Sequence, residues 1–503
     1  MDDNRITSVV IVGGGTAGWI AAASLARAFG QRLAIALVES DEIGIVGVGE
    51  ATIPQIRLLN EFLGLDENEF IAKTQGSIKL GIEFRNWARG GDRYIHAFGD
   101  IGAPLGLLSF HHYWLRARHE GVVGDDIWSW SLNAKAAYAN KFSRLDQIPN
   151  TKLTGLKYAF HFDAGLYARY LSAYAQRLGV KRIEGKIVEV RLDGEIGRVA
   201  AVVMASSAAI AGDLFIDCSG FRGLLIEETL KTGYEDWTKW LPCDRALAVP
   251  SARNEPLTPY TRATARKAGW QWRIPLQHRT GNGHVYCSRH ISDDEASAIL
   301  LANLDGEALA DPRPLRFTTG IRKKMWNRNV IALGLASGFL EPLESTSIHL
   351  IQSGVSRIIQ MFPDKTWDAS LEDEFNHQSR FEWERIRNFI ILHYHANERT
   401  DGAFWRECRE ISVPAELAEK IALFKANGRI YREHEELFAE IGWLQVMLGQ
   451  RLWPARHNPL ADNLSEEQLR GFLGDLKTIT DRTAAGLPDH ADFLARHAPA
   501  APV

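Results

Sequence analysis

Cysteine is scarce in this chain of 503 residues. Cys218, Cys243, Cys287 and Cys408 are the only four, and none has metal-ligand spacing. That excludes a disulfide-stapled secreted scaffold and suits scattered reduced thiols in a cytoplasmic protein. No sign of charge dominates: the formal net charge of -4 argues against a general nucleic-acid binder. No long hydrophobic run survives inspection either. The most apolar stretch, Val9–Ala28, is broken by four glycines and Arg27, which excludes a membrane span. The acidic start, Met1-Asp-Asp-Asn4, is not a signal peptide. Internal repeats and low-complexity blocks are absent. What remains is an ordinary globular composition, 46% hydrophobic and 24% charged. Tryptophan stands out with fifteen copies, enough to line an aromatic pocket or to fill a core.

The chain is organised around its beginning. Val9–Val12 reads as a buried parallel strand. Gly13, Gly15 and Gly18 then fit G-x-G-x-x-G, and Ile20–Phe29, Ala-rich and free of proline, reads as a helix. Gly13 serves the tight turn, Gly15 the close approach of a pyrophosphate, and Gly18 the packing of helix on strand. The helix N-terminus offers free N–H groups to the anion. A second strand, Leu33–Val38, ends in Glu39, placed to accept hydrogen bonds from a ribose roughly 20 residues on. These features predict dinucleotide binding without separating NAD from FAD. Two later segments, Leu214–Gly220 and Asn329–Gly334, repeat the strand-to-glycine corner, and Asp217 and Gly220 could touch the same dinucleotide. Three such corners suit the two ends of a flavin dinucleotide.

Between these corners lie weaker signals. Gly44–Pro54 is a backbone-exposing loop with Glu50 and Thr52 inside it. Ile78–Phe84 alternates like a strand, with Lys79 at its edge among apolar neighbours. A lysine so placed can have its pKa lowered and its ammonium aimed at one atom; a solvated lysine is the bland alternative. Trp270 and Trp272 share one face of a strand. Glu341 and Glu344 bracket Pro342 and lead into a helix whose first N–H groups, at Thr346 and Ser347, could hold an anion. From about Ser370 glycines thin out and the spacing turns helical.

Taken together, the chain resembles the flavin-dependent halogenases of the tryptophan halogenase type. The motifs are Gly13-Gly-Gly-Thr-Ala-Gly-Trp19, Gly47-Val-Gly-Glu-Ala-Thr-Ile-Pro54, Lys79-Leu-Gly-Ile82, Trp270-Gln-Trp-Arg-Ile-Pro275 and Phe339-Leu-Glu-Pro-Leu-Glu-Ser-Thr346. Ile390-Ile-Leu-His-Tyr394 and Phe404-Trp405 also match, so the resemblance covers nearly the whole chain. It implies an α/β fold: a Rossmann-like FAD-binding module with mixed sheets over 1–365, a mainly helical substrate-covering module over 366–497, and a frayed tail at 498–503. FAD would contact Gly13, Gly15, Thr16, Ala17, Gly18, Glu39, Gly47, Gly49, Glu50, Ala51, Gly334 and Leu335.

By the same resemblance, reduced FAD from a separate NAD(P)H-dependent reductase, oxygen, and bromide or chloride yield hypohalous acid. The oxidant travels past Trp270, Trp272, Ile274 and Pro275 to Lys79, which delivers electrophilic halogen to an aromatic carbon. Glu344 steadies the cationic intermediate or takes its proton, and the two groups are expected to face each other in a closed aromatic chamber. Halide sits at the N–H groups of Thr346 and Ser347. His96, Phe98, Trp443 and Tyr431 are the substrate-facing candidates. Two departures stand out: Ser347 replaces a glycine frequent in tryptophan-specific members, and the clamp for an amino-acid head is missing. Counting back from Trp443, Phe438 stands near the place of the acid, while Glu435, Glu436 and Glu440 are out of register. Free indole, another indole derivative, or a larger or tethered aromatic substrate is therefore favoured over free tryptophan. An aromatic flavin monooxygenase and a flavoprotein relic acting as a binding module are the competing readings. A homodimer stays open.

Overall fold

The computed structural model describes residues 4–42 and 49–501, which divide into two compact units interleaved along the chain. The first comprises 1–75, 162–239 and 316–384; the second comprises 76–161, 240–315 and 385–503. The division at 239/240 and 315/316 makes both units discontinuous in sequence.

The first unit is built on a six-stranded sheet. Its strands run in the order Trp326–Asn327, Val330–Ala332, Leu214–Asp217, Ser8–Val12, Ala34–Glu39, Lys181–Glu184. All neighbours are parallel except the first pair. Parallel strands need long crossovers, and helix Thr16–Phe29 supplies the one between Ser8–Val12 and Ala34–Glu39. That helix also packs against helices Ala164–Arg177 and Ser347–Gln360. Val10, Val12, Phe215 and Val330 lead a buried cluster on one side of the sheet. A three-stranded antiparallel sheet, Ile187–Leu192, Val199–Met204 and Ala209–Ala211, adds Val199 and Val202 to it. Asp193 lies in the connection between the first two of these strands.

The second unit holds a seven-stranded sheet in the order Arg313–Arg316, Arg245–Ala252, Arg279–Tyr286, Gly269–Pro275, Thr261–Arg266, Gly81–Arg85, Arg93–Ala97. Its pairings are antiparallel apart from Thr261–Arg266 against Gly81–Arg85. Here the sequence expectation is corrected. Ile78–Phe84 is not one strand but two, Ser77–Lys79 and Gly81–Arg85, because the backbone of Leu80 turns aside to bond the Pro259 carbonyl and the Phe98 amide. Helices Phe110–His119, Leu132–Tyr138, Asp293–Ala302, Ala403–Glu410, Ala415–Asn427, Glu440–Gly449, Glu466–Gly486 and His490–His497 also belong to the unit. Mixed sheets with a helical C-terminal region are the α/β architecture expected. The end of the described chain is held rather than frayed. Ala498 is buried, its carbonyl accepts from Gln277 Nε2, and the Ala500 amide donates to Gln277 Oε1. No helix among the described residues is long and apolar enough to cross a membrane.

Candidate active site

In the first unit the three strand-to-glycine corners converge at the carboxyl ends of the parallel strands, the usual ligand crevice of such sheets. Gly13 has φ +111°, and a Cβ there would meet the Cys218 carbonyl oxygen at 2.2 Å. Gly18 is as tight: its Cβ would lie 1.9 Å from the Gly13 carbonyl oxygen. Gly15 differs, because a Cβ there would meet nothing within 4 Å. Gly15 caps helix Thr16–Phe29 with no side-chain hydrogen bond and no acidic residue in the first turn. Its first N–H groups therefore face open space, as an anion requires. Gly13–Ala17 keep partial exposure while Gly18 onward is buried. Gly334, at φ +61°, begins the short turn Gly334–Ala336 that holds Leu335, and its Cβ would lie 2.9 Å from that of Ala17. The residues thus fit the pyrophosphate of a dinucleotide.

One neighbour was misjudged from sequence. Asp217 is fully buried and spends its carboxylate on four donors: Ser219 N and Oγ, Leu225 N and Ile226 N, at 2.6–3.0 Å. It braces the corner and has no spare lone pair facing a ligand. Glu39 does stand at its strand end, but it is ion-paired to Arg182, which also reaches Asp41 at 2.5 Å. One carboxylate oxygen lies where a Gly14 side chain would be. Gly47 and the rest of 43–48 lie outside the described residues. Beyond them, Gly49 and Glu50 are half-buried and Ala51 is buried. The protein around the Glu50 carboxyl pushes its pKa up to about 7 by desolvation.

Glu344 also belongs to this unit. It closes the turn Pro342–Glu344 and is 1% exposed. Ser345 follows in the left-handed region, φ +59°, and Thr346 starts helix Ser347–Gln360 without a side-chain cap. The helix opens where the sequence indicated, with Thr346 buried and Ser347 half-buried at its N-terminus.

Lys79 belongs to the second unit and is fully buried. It pairs with Ala159 in the strand register, and its Nζ lies 5.4 Å from the centre of the Phe98 ring. The two residues before it are pinned by histidines that the sequence did not reveal. Ser77 Oγ donates to the Pro275 carbonyl at 2.6 Å and lies 3.0 Å from His161 Nδ1. With the hydroxyl proton committed, His161 donates from Nδ1 and accepts the Thr261 hydroxyl at Nε2, 2.9 Å away. Burial, then the charge of Lys79, hold His161 well below the usual imidazole range, so it stays neutral. The Ile78 amide donates to His490 Nε2 at 3.1 Å, and His490 Nδ1 donates to the Leu257 carbonyl at 2.9 Å. His490 is 412 residues from Ile78, so no local pattern could have exposed it.

The second unit also gathers the expected aromatics. Phe389 stacks on Phe438 at 3.9 Å, meets Trp443 edge-on at 4.8 Å and lies 5.6 Å from His96. Gly442 lets its helix approach His96, since a Cβ there would be 3.1 Å from Nε2. Gln445 fixes the strand carrying His96 by exchanging two 3.0 Å bonds with Ala97. Trp270 and Trp272 share a face with ring centres 6.1 Å apart. Trp272 covers Gly283, where a Cβ would meet its ring at 2.0 Å. Ile274 and Pro275 are buried at the end of the same strand. Tyr431 is not brought in: it is 65% exposed. Glu436, one of the out-of-register acids, is buried and bonded through both oxygens to Lys420 at 2.8 Å.

Known proteins bear on this arrangement. A family model for tryptophan halogenase matches residues 8–466. Tryptophan 6-halogenase SttH of Streptomyces toxytricini is 36% identical over 85% of each chain. Among solved structures, Xcc4156, a flavin-dependent halogenase from Xanthomonas campestris, superposes with a TM-score of 0.96 at 48% identity, covering 99% of this chain and 100% of that one. BrvH, a flavin-dependent halogenase from Brevundimonas, superposes at 0.95 with 46% identity over 98% and 100%. Flavin-dependent halogenases work with a separate flavin reductase and an aromatic substrate. The cradle at Gly13–Gly18 and these likenesses agree: the chain belongs to the tryptophan halogenase family and is an FADH2-dependent halogenase.

Proposed function

We propose that this enzyme halogenates an electron-rich aromatic of the indole class, using bromide or chloride, with Lys79 as the group that delivers the halogen. Bound as FADH2, the cofactor would supply the electrons that let oxygen oxidise halide to hypohalous acid. Gly13, Gly15, Thr16, Ala17, Gly18, Gly334 and Leu335 hold it, with Glu39, Gly47, Gly49, Glu50 and Ala51 as further contacts. Trp270, Trp272, Ile274 and Pro275 line the passage for the oxidant. A fully buried ammonium supports the role of Lys79, since a water-free donor polarises the halogen rather than the solvent. Glu344 is the carboxylate that stabilises positive charge on the ring or removes its proton, and its burial supports that role. Thr346 and Ser347, at an uncapped helix N-terminus, bind halide. Functionally, 1–365 holds the flavin and carries the inserted strands and substrate-facing loops, with His96 and Phe98 among them, and 366–497 covers the substrate.

The observation that carries the choice of substrate is the fate of the acids near Trp443. Phe438 stacks on Phe389 where an amino-acid clamp would need a carboxylate, and Glu436 is neutralised by Lys420. A zwitterionic head would find no partner there. His96, Phe98 and Trp443 offer flat apolar surface instead, which suits indole. Tyr431, being exposed, has no direct part. SttH carries tryptophan in its name, so free tryptophan is the reading to beat. Coupled to a flavin reductase with bromide, the enzyme should convert indole at a kcat/KM at least tenfold above tryptophan, read as monobrominated product by mass spectrometry. A preference for tryptophan would reverse the proposal, and a product heavier by oxygen would indicate a monooxygenase.

A further inference from the structure

An enzyme that admits electrophilic halogen to an aromatic cluster endangers its own rings. Trp443 carries the same indole as the proposed substrate. It is 1% exposed and sits edge-on to Phe389, which itself adjoins His96 and Phe438. We infer that Lys420 shields Trp443 from halogenation by holding an ammonium against the face of its ring. This rests on the halogenating role proposed above.

The geometry is specific. Lys420 Nζ lies 4.3 Å from the centre of the Trp443 ring. Both oxygens of Glu436 accept hydrogen bonds from it at 2.8 Å, which fixes the ammonium there. In the ground state a cation over an indole face is attracted to the ring quadrupole. Electrophilic attack reverses that relation: the ring gains the halogen cation, becomes positively charged, and only later loses its proton. The ammonium end of this ion pair, held over the ring, then repels the developing cation, an effect that the bound Glu436 carboxylate reduces but that low solvent access sustains. The ammonium also covers one face of the ring. In addition, the Trp443 N–H meets no acceptor among the described residues. No partner therefore feeds electron density into the ring, as an acceptor at that hydrogen would. The same cation that binds the resting ring raises the barrier to its reaction, the opposite of catalysis.

The test adds substoichiometric hypobromite to the full-length protein carrying FAD and maps bromine on Trp443 by peptide mass spectrometry. Lys420→Met combined with Glu436→Gln removes both charges and nearly conserves volume. Its Trp443 should gain about tenfold or more bromine than wild type, from the repulsion lost at this separation. Lys420→Arg, which keeps the charge, should stay near wild type. Equal bromination in wild type and double variant overturns the inference, as does an arginine variant labelled like the neutral pair. Should the double variant fail to fold, Lys420→Met with Glu436→Met carries the comparison, because it too removes both charges together. Added hypobromite needs no turnover, so shielding can fail while the halogenase reading stands. Absence of halogenated product in the coupled assay, with shielding intact, counts against that reading alone.

Discussion

Gly15 and Gly18 sit three residues apart in one motif, yet the structure gives them opposite sensitivities. At Gly15 the backbone has φ -74° and ψ -173°, which alanine adopts freely, and its Cβ would enter open space. Gly15→Ala therefore loses little in the empty protein. The smaller unfolded-state entropy offsets the poorer cap, and the net change should stay within about 1 kcal/mol. The added methyl instead occupies the space kept for the pyrophosphate. FAD affinity should fall at least tenfold, about 1.4 kcal/mol. Gly18→Ala should behave in the reverse manner. Its Cβ would lie 1.9 Å from a backbone oxygen, so helix Thr16–Phe29 must shift off the turn at a cost of about 1–3 kcal/mol even without cofactor. The assay pairs urea unfolding of the FAD-free protein with fluorescence titration of FAD. If Gly15→Ala bound FAD as tightly as wild type, no phosphate would lie against Gly15 and the account of the cradle would be wrong.

Four further outcomes are expected. Glu344→Gln should lower kcat by about 10²–10⁴ with FAD affinity unchanged, as loss of a positioned base or charge stabiliser does; unaltered kinetics would remove Glu344 from the chemistry. If Lys79 and Glu344 serve one reacting carbon, Lys79→Met with Glu344→Gln should lose no more than the worse single variant, whereas additive losses would separate their roles. Glu436→Gln should cost about 1–3 kcal/mol in urea unfolding, because it leaves the half-buried Lys420 ammonium without its counter-charge; a loss below about 0.5 kcal/mol would mean the pair is hydrated. Burial holds His490 and His284 each down to about 4. Unfolding lets each take up a proton between pH 4 and 6.5, so stability should rise with pH through that window by about 3 kcal/mol per histidine. His490→Gln should flatten the slope measured by denaturation across pH, and an unchanged slope would contradict the burial argument.

The sequence was legible where local chemistry decides the structure. Gly13, Gly15 and Gly18 each have a reason within their own strand-turn-helix, and Glu344 with Ser345 and Thr346 marks a helix start. Illegibility began where distant segments decide. The break at Leu80 depends on Pro259, the clamp on Ile78 depends on His490, and the pairing of Glu39 depends on Arg182. Asp217 resembled a ligand contact because a carboxylate after a strand suits both a ribose and a turn. Only its four donors identify it as a brace. Tyr431 was chosen by counting from Trp443, and residues 430–439 form a non-helical stretch on which counting does not fix direction. The interleaved units were likewise hidden, because contact between far parts of the chain leaves no mark on composition.

The central claim is that Lys79 delivers the halogen to carbon, and Lys79→Ala tests it most directly. With a flavin reductase, oxygen, bromide and indole, the variant should still consume FADH2 and release oxidant that a diffusible hypobromite or peroxide trap records, while bromoindole falls below detection. Bromoindole formed at the wild-type rate by Lys79→Ala would contradict the account.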